Sequence, residues 1–242
     1  MLIYHRVGGG SASQVDLPVA AFREQMRHLA TSSSVITLDH AVDRLAGPGP
    51  AAPFVVVTFD DGTSDWAEHA LPVLVEFAIP ATFYVATRFV DECRAWPTGA
   101  APVSWAALAD MASTGLVTIG SHTHSHALLD RADMTTARDE VDRSAALIED
   151  RLGVPCAHFA YPKALLGSAA AETEVRRRFA SAALAGGRVN VCGQSSAHRL
   201  WRTPVQNSDG TRWFVRKAGG GMRLEGMLRE RISARRYADS TW

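Results

Sequence analysis

Short runs of apolar, largely β-branched residues constrain this chain most: Phe54-Val55-Val56-Val57-Thr58-Phe59, Thr82-Phe83-Tyr84-Val85 and Val117-Thr118-Ile119. Each has the length of a strand and little polar alternation, the pattern of a buried strand. Helix-like segments separate or follow them, over about 66–77, 105–112, 134–152 and 169–180, with a further strand expected at 158–161. A first helix is expected over 17–28, capped by Asp16 and burying Phe22, Met26 and Leu29. Strands alternating with helices imply right-handed crossovers and a parallel α/β sheet. Periodicity does not say whether that sheet closes.

Parallel α/β folds carry their chemistry at the C-terminal ends of the strands. Two such ends here are rich in metal-binding groups. The first apolar run leads into Asp60-Asp61-Gly62, and Val117-Thr118-Ile119-Gly120 leads into His122-Thr123-His124-Ser125-His126. One Asp and two neutral imidazoles can hold a divalent ion with positions left open for water, and a second carboxylate beside them can accept a proton. Successive side chains on a strand point in opposite directions, so the two carboxylates are expected to divide these roles. His124 is expected to point away from the other two histidines.

These residues resemble the polysaccharide deacetylases of the NodB-homology type, carbohydrate esterase family 4, over about residues 2–205. Thr58-Phe59-Asp60-Asp61-Gly62 is similar to the family's first motif, which implies Asp60 as catalytic base and Asp61 as metal ligand. His122 through His126 is similar to the second motif, which implies His122 and His126 as the other ligands. The fold implied is a distorted (β/α) barrel of seven strands. The third motif is altered. Phe159-Ala160-Tyr161-Pro162-Lys163-Ala164 keeps the aromatic-Pro pair, which implies that the Tyr161 amide helps hold the oxyanion and that Pro162 shapes the groove wall. Ala160 stands where the family often has an Arg that orients the base, and Ala164 stands where it has Gly. An Ala enters positive φ only at a cost, so this turn is expected to differ or to be strained. No Leu-x-His motif supplies the family's general acid.

Arg202 is a candidate for the missing Arg, because a guanidinium can grip a carboxylate with two hydrogen bonds. His5, at the end of the apolar Leu2-Ile3-Tyr4, is the candidate acid, with His198 and His158 as alternatives. The resemblance implies a hydrolase that removes N-acetyl groups from N-acetylhexosamine-containing glycans with one divalent ion. Zinc is expected, and cobalt or another divalent ion suits the same N/O donors. The alternatives are an amidohydrolase of the same scaffold acting on a small amide, imide or glycoside, and a silent carbohydrate-binding domain. Trp66, Trp105 and Trp201 are candidate stacking platforms for sugar rings.

With 242 residues, 47% of them hydrophobic, the chain can bury a full core, and one catalytic domain over 1–242 is expected. Its 25 basic and 25 acidic residues balance, which argues against nucleic acid as a partner. A basic stretch at about 212–242 is the exception and is expected to be a solvated helix, with docking to an anionic glycan or membrane surface as the alternative. Cys93, Cys156 and Cys192 have no paired spacing and are expected as reduced thiols. No apolar run has signal-peptide or membrane-spanning length, so a cytoplasmic location is expected, or an extracellular or cell-envelope one if a leader has been trimmed away.

Overall fold

A computed structural model describes residues 1–49 and 52–221. Leu2–Tyr4 (β1) is followed by a small pair, Arg6–Val7 (β2) and Asp16–Leu17 (β3), and by two helices, Val19–Ser32 (α1) and Leu38–Ala46 (α2). Val57–Asp61 (β4) leads through a π-helical turn at Trp66–Ala70 into Leu71–Glu76 (α3). Ala81–Val85 (β5), Thr87–Asp91 (α4), Trp105–Ser113 (α5), Val117–Ser121 (β6) and Met134–Leu152 (α6) follow. The chain continues through His158–Ala160 (β7), Ala169–Arg178 (α7), Ser181–Ala185 (β8), Leu200–Pro204 (β9) and Gly210–Ala218 (α8). Strands β1, β4, β5, β6, β7, β8 and β9 form a closed barrel, and every pairing in it is parallel. The expected (β/α) barrel of seven strands is therefore the fold. No described helix is long and apolar enough to cross a membrane.

Each barrel strand feeds two cores, which is why its sequence reads as continuously apolar. Val57, Phe59, Phe83, Val85, Ile119 and Phe159 face outward into the layer shared with the helices. There Phe59 and Phe83, partners in the β4–β5 register, stack with ring centroids 4.5 Å apart. Val56, Tyr84, Ala160, Ala183 and Leu200 form an inner core with Leu38, Ala41 and Leu45 of α2, which closes the N-terminal end of the barrel. Gly120 lies opposite Tyr84, and a Cβ there would stand 2.8 Å from the tyrosine ring. Its missing side chain makes room for the largest residue of the inner core.

Several expectations need correction. The first-motif strand runs over 57–61 rather than 54–59, with Val55 making only an isolated bridge to Val35. Asp16 caps no helix. Its buried carboxylate accepts from Gly9 N (2.8 Å), Ser11 N (2.9 Å) and Ser11 Oγ (2.7 Å), pinning the glycine-rich loop, and α1 begins after Pro18. Strand β8, Ser181-Ala182-Ala183-Leu184-Ala185, escapes a reading by composition because it carries no β-branched or aromatic residue. In the basic stretch, Lys217 is buried rather than solvated, and its ammonium donates to Asp209 Oδ1 and Oδ2 and to Pro204 O. Residues 222–242 of that stretch lie outside the described residues. The three cysteines are free thiols.

The altered third motif carries the strain that its Ala predicts. Lys163 and Ala164 both take left-handed backbone, with φ of 53° and 59°. Replacing Ala164 by Gly should therefore stabilise the fold by up to ~1 kcal/mol, since a non-glycine residue held at positive φ is destabilising. Chemical denaturation of both proteins checks this, and a clear loss of stability would show that the turn is relaxed with Ala.

Candidate active site

The C-terminal mouth of the barrel gathers the two motifs. Asp61 ends β4 with φ of 91°, and the chain turns away from β6 through Thr123 and His126, both at φ 63°. Nonglycine residues with positive φ cluster where a fold over-determines its backbone, commonly at sites of function. Asp61 Oδ1 lies 3.6 Å from His122 Nε2 and 3.4 Å from His126 Nε2. Each of the three residues offers one ligand atom, and these atoms lie within 4.8 Å of one another. His122 Nδ1 lies 2.7 Å from Ala160 O. A carbonyl only accepts, so Nδ1 carries the proton and the Nε2 lone pair faces Asp61. Burial pushes the His122 imidazole down to about 4, which keeps it neutral, the state a metal requires. One carboxylate, the neutral and oriented His122 imidazole and the His126 imidazole beside it fit a divalent ion.

Asp60 has a different environment. Arg202 Nη1 and Nη2 donate to its Oδ1 and Oδ2 at 2.6 and 2.9 Å, and Nη1 also donates to Thr58 Oγ1 at 3.0 Å. Arg202 is fully buried and reaches across the barrel from β9, its guanidinium 5.0 Å from the Tyr84 ring centroid. Burial alone would raise the Asp60 carboxyl, but the Arg202 charge, aided by His122 and by the paired hydrogen bonds, holds it below the usual range. Burial also acts against ionised Asp61, and there the bond to His126 and the field of His5 win, leaving that carboxyl well below the usual range. Asp60 is thus ionised and oriented while Asp61 faces the imidazoles.

His5 follows β1 at the same mouth, near enough to act on both carboxylates. Trp66 Nε1 donates to its carbonyl at 2.6 Å, and its Nδ1 is buried with no hydrogen-bond partner. The two alternative histidines lie at the opposite end. His158 starts β7, where its Nε2 bonds Asp39 of α2 (3.0 Å) and its Nδ1 bonds Ser181 (2.9 Å). His198 precedes β9 and donates to Phe179 O at 2.8 Å. His124 points away from the cluster, with Nδ1 at 2.9 Å from Thr87 Oγ1.

The oxyanion role expected of the Tyr161 amide does not fit. Its N–H donates to Ala183 O at 3.0 Å, because the β7–β8 pairing continues one residue past Ala160, and its ring is buried against Phe159. Buried Pro162 has no N–H to offer. Lys163 has one without a partner among the described residues, in a left-handed conformation just beyond the strand. Of the expected stacking platforms, Trp66 is fully buried in the core. Trp105 is partly buried and donates to Asp91 at 3.3 Å, and Trp201 lies under the Arg188 guanidinium. The aromatic beside the cluster is Trp96, stacked on Phe89 and edge-to-face with His126 at 5.3 Å. Only its distance from His126, which no sequence pattern encodes, brings it forward.

A closed parallel barrel with a metal-competent Asp-His-His cluster and a second, cation-held carboxylate at its C-terminal mouth defines the layout of a hydrolase that activates water. The family model for polysaccharide deacetylases matches residues 48–178, and the chain belongs to that family. None of the curated proteins matches it by sequence. Among solved structures, IcaB from Ammonifex degensii is 28% identical with a TM-score of 0.77, covering 90% of this chain and 94% of its own. The Streptococcus pyogenes deacetylase PplD, solved in complex with acetate, shares the fold at 18% identity and a TM-score of 0.79, over 90% of this chain and 96% of its own. The deacetylase domain of BpsB from Bordetella bronchiseptica does so at 21% and 0.68, over 84% and 94%.

Proposed function

We propose that this chain hydrolyses the N-acetyl groups of N-acetylhexosamine units in a glycan, releasing acetate and leaving the free amine. The observation that carries this reading is the convergence of Asp61, His122 and His126 beside an Asp60 kept ionised by Arg202, in a chain of the polysaccharide deacetylase family. Asp61, His122 and His126 would hold one divalent ion, with zinc preferred and cobalt accommodated. Such an ion supplies Lewis acidity toward the acetyl carbonyl and the attacking water.

The chain's own groups supply the remaining chemistry. Asp60 takes a proton from the water as its oxygen bonds to the acetyl carbon. Arg202 keeps Asp60 ionised and aimed, taking the part of the Arg that Ala160 replaces. The Lys163 amide donates to the carbonyl oxygen as it becomes an oxyanion. His5 gives a proton to the nitrogen as the C–N bond breaks, so the amine leaves neutral. Acetate release from chitooligosaccharides, peptidoglycan fragments and monomeric N-acetylglucosamine tests the reading. Metal-loaded protein that releases acetate from none of them would refute it.

The role of His5 has its own test. His5→Ala should lower kcat while bound metal stays unchanged, and the alkaline limb of the pH–rate profile should change. The loss should shrink for an acetamide with a better leaving group, which needs less protonation. Kinetics unchanged from the wild type on both substrates would make His5 structural.

A further inference from the structure

The loop that carries His126 is not at rest by its own preferences. Thr123 and His126 are both left-handed, a conformation that costs every L residue free energy, so neighbouring elements must hold the loop open. Helix α6 grips it at two points. Ser144 Oγ bonds Ser121 Oγ at 2.6 Å where the loop leaves β6, and one turn earlier on the same face Glu140 takes both donors of Ser125. Glu140 Oε2 accepts the Ser125 N–H at 2.8 Å, and Oε1 accepts its hydroxyl at 2.7 Å. Helix α4 holds the backbone between these points, with Thr87 N donating to Thr123 O (3.4 Å) and Arg88 N to His124 O (2.8 Å).

Glu140 therefore supplies a paired hydrogen-bonded grip on this loop, immediately before the candidate ligand His126. Only 9% of it is exposed, and its helix is seated by Ala137, Val141, Ala145 and Ile148, so the carboxylate has little freedom to follow a loop that relaxes. On the reading that Asp61, His122 and His126 bind a divalent ion, we propose that Glu140 is a positioning residue for that ion. Its paired hydrogen bonds to Ser125 keep His126 in the left-handed conformation that brings Nε2 to Asp61. Glu140 touches neither the ion nor substrate.

Cobalt binding to metal-stripped protein tests this without any turnover assay, through visible absorption and through competition with a chelator of known affinity. Glu140→Ala should weaken cobalt binding by ~10–100-fold, the usual cost of losing an outer partner of a ligand. Its absorption spectrum should change as well. Glu140→Gln should bind nearly as the wild type does, since its carbonyl can accept the Ser125 N–H while its amide donates to the hydroxyl. Ser125→Ala removes one of the two bonds and should lie between, which serves if Glu140→Ala fails to fold. Unchanged affinity and spectrum in Glu140→Ala, or in Ser125→Ala where only that variant folds, overturns the proposal. A Glu140→Gln protein as weak as Glu140→Ala also overturns it, because charge rather than hydrogen-bonded placement would then be responsible. Wild-type protein that binds no cobalt would instead remove the metal reading itself.

Discussion

Substituting His126 by Ala should strip the protein of most of its bound divalent ion and of nearly all turnover. The argument is geometric. Of the three ligand atoms, Asp61 Oδ1 stands between two imidazoles, at 3.4 Å from His126 and 3.6 Å from His122. Removing one imidazole leaves one carboxylate and one histidine, too few protein donors to compete with water for the ion. The loss of affinity should exceed the ~10–100-fold typical of an outer partner. His122→Ala should behave alike, with the added cost of leaving Ala160 O without its donor. Metal analysis of the purified variants, with acetate release measured alongside, decides the matter. His126→Ala protein with full metal and full activity would remove the site assignment.

Asp60→Asn should have the opposite signature, keeping the ion while lowering turnover by ~10²–10⁴, because only proton transfer is lost. A metal-free Asp60→Asn beside a metal-replete Asp61→Asn would exchange the two roles. Arg202→Met extends the argument to pH. In the native protein burial raises the Asp60 carboxyl, and the charge and hydrogen bonds of Arg202 together with His122 and His5 more than reverse it, so its folded pKa lies below the ordinary 3.8. The ionised form is thus favoured by folding. Its contribution to stability is complete above 3.8 and is lost as pH falls through the lower folded value. Without Arg202 the sign should invert, because burial, the largest influence, is then opposed only by His122 and His5 and protonation is favoured. The acid limb of the pH–rate profile should move to higher pH, and the protein should lose about 3–5 kcal/mol of stability near neutrality, the cost of a buried charge left without its partner. An acid limb that stays in place would show that Arg202 does not govern the base.

Clustered motifs were legible because their geometry is local. Asp60 and Asp61 close a strand whose apolar run leads into them, and His122 and His126 share one loop after another such strand, so the candidate metal-binding groups could be read without knowledge of the packed fold. The alternation of strands and helices is equally local, and α6 falls on the span of about 134–152 expected for it. Barrel closure is different in kind. It joins β1 to β9, with Leu2 opposite Thr203, and no short-range pattern encodes a pairing between the ends of the chain.

What closure brings together had to be seen in three dimensions. Arg202 stands 142 residues from Asp60 and reaches it because the inner core carries only Ala at 160 and 183, leaving room for a guanidinium to cross. His5 was separated from His158 and His198 by which end of the barrel each occupies. The free amide moved from Tyr161 to Lys163 because β7 keeps pairing with β8 for one residue more than the motif suggests. Glu140 gives no sign in the sequence, being one carboxylate among several on a polar helix, until α6 packs beside the histidine loop. The residue types at strand ends determined what chemistry this chain can hold. The lengths and registers of strands far apart in the chain, which depend on packing rather than local preference, decided which groups orient it.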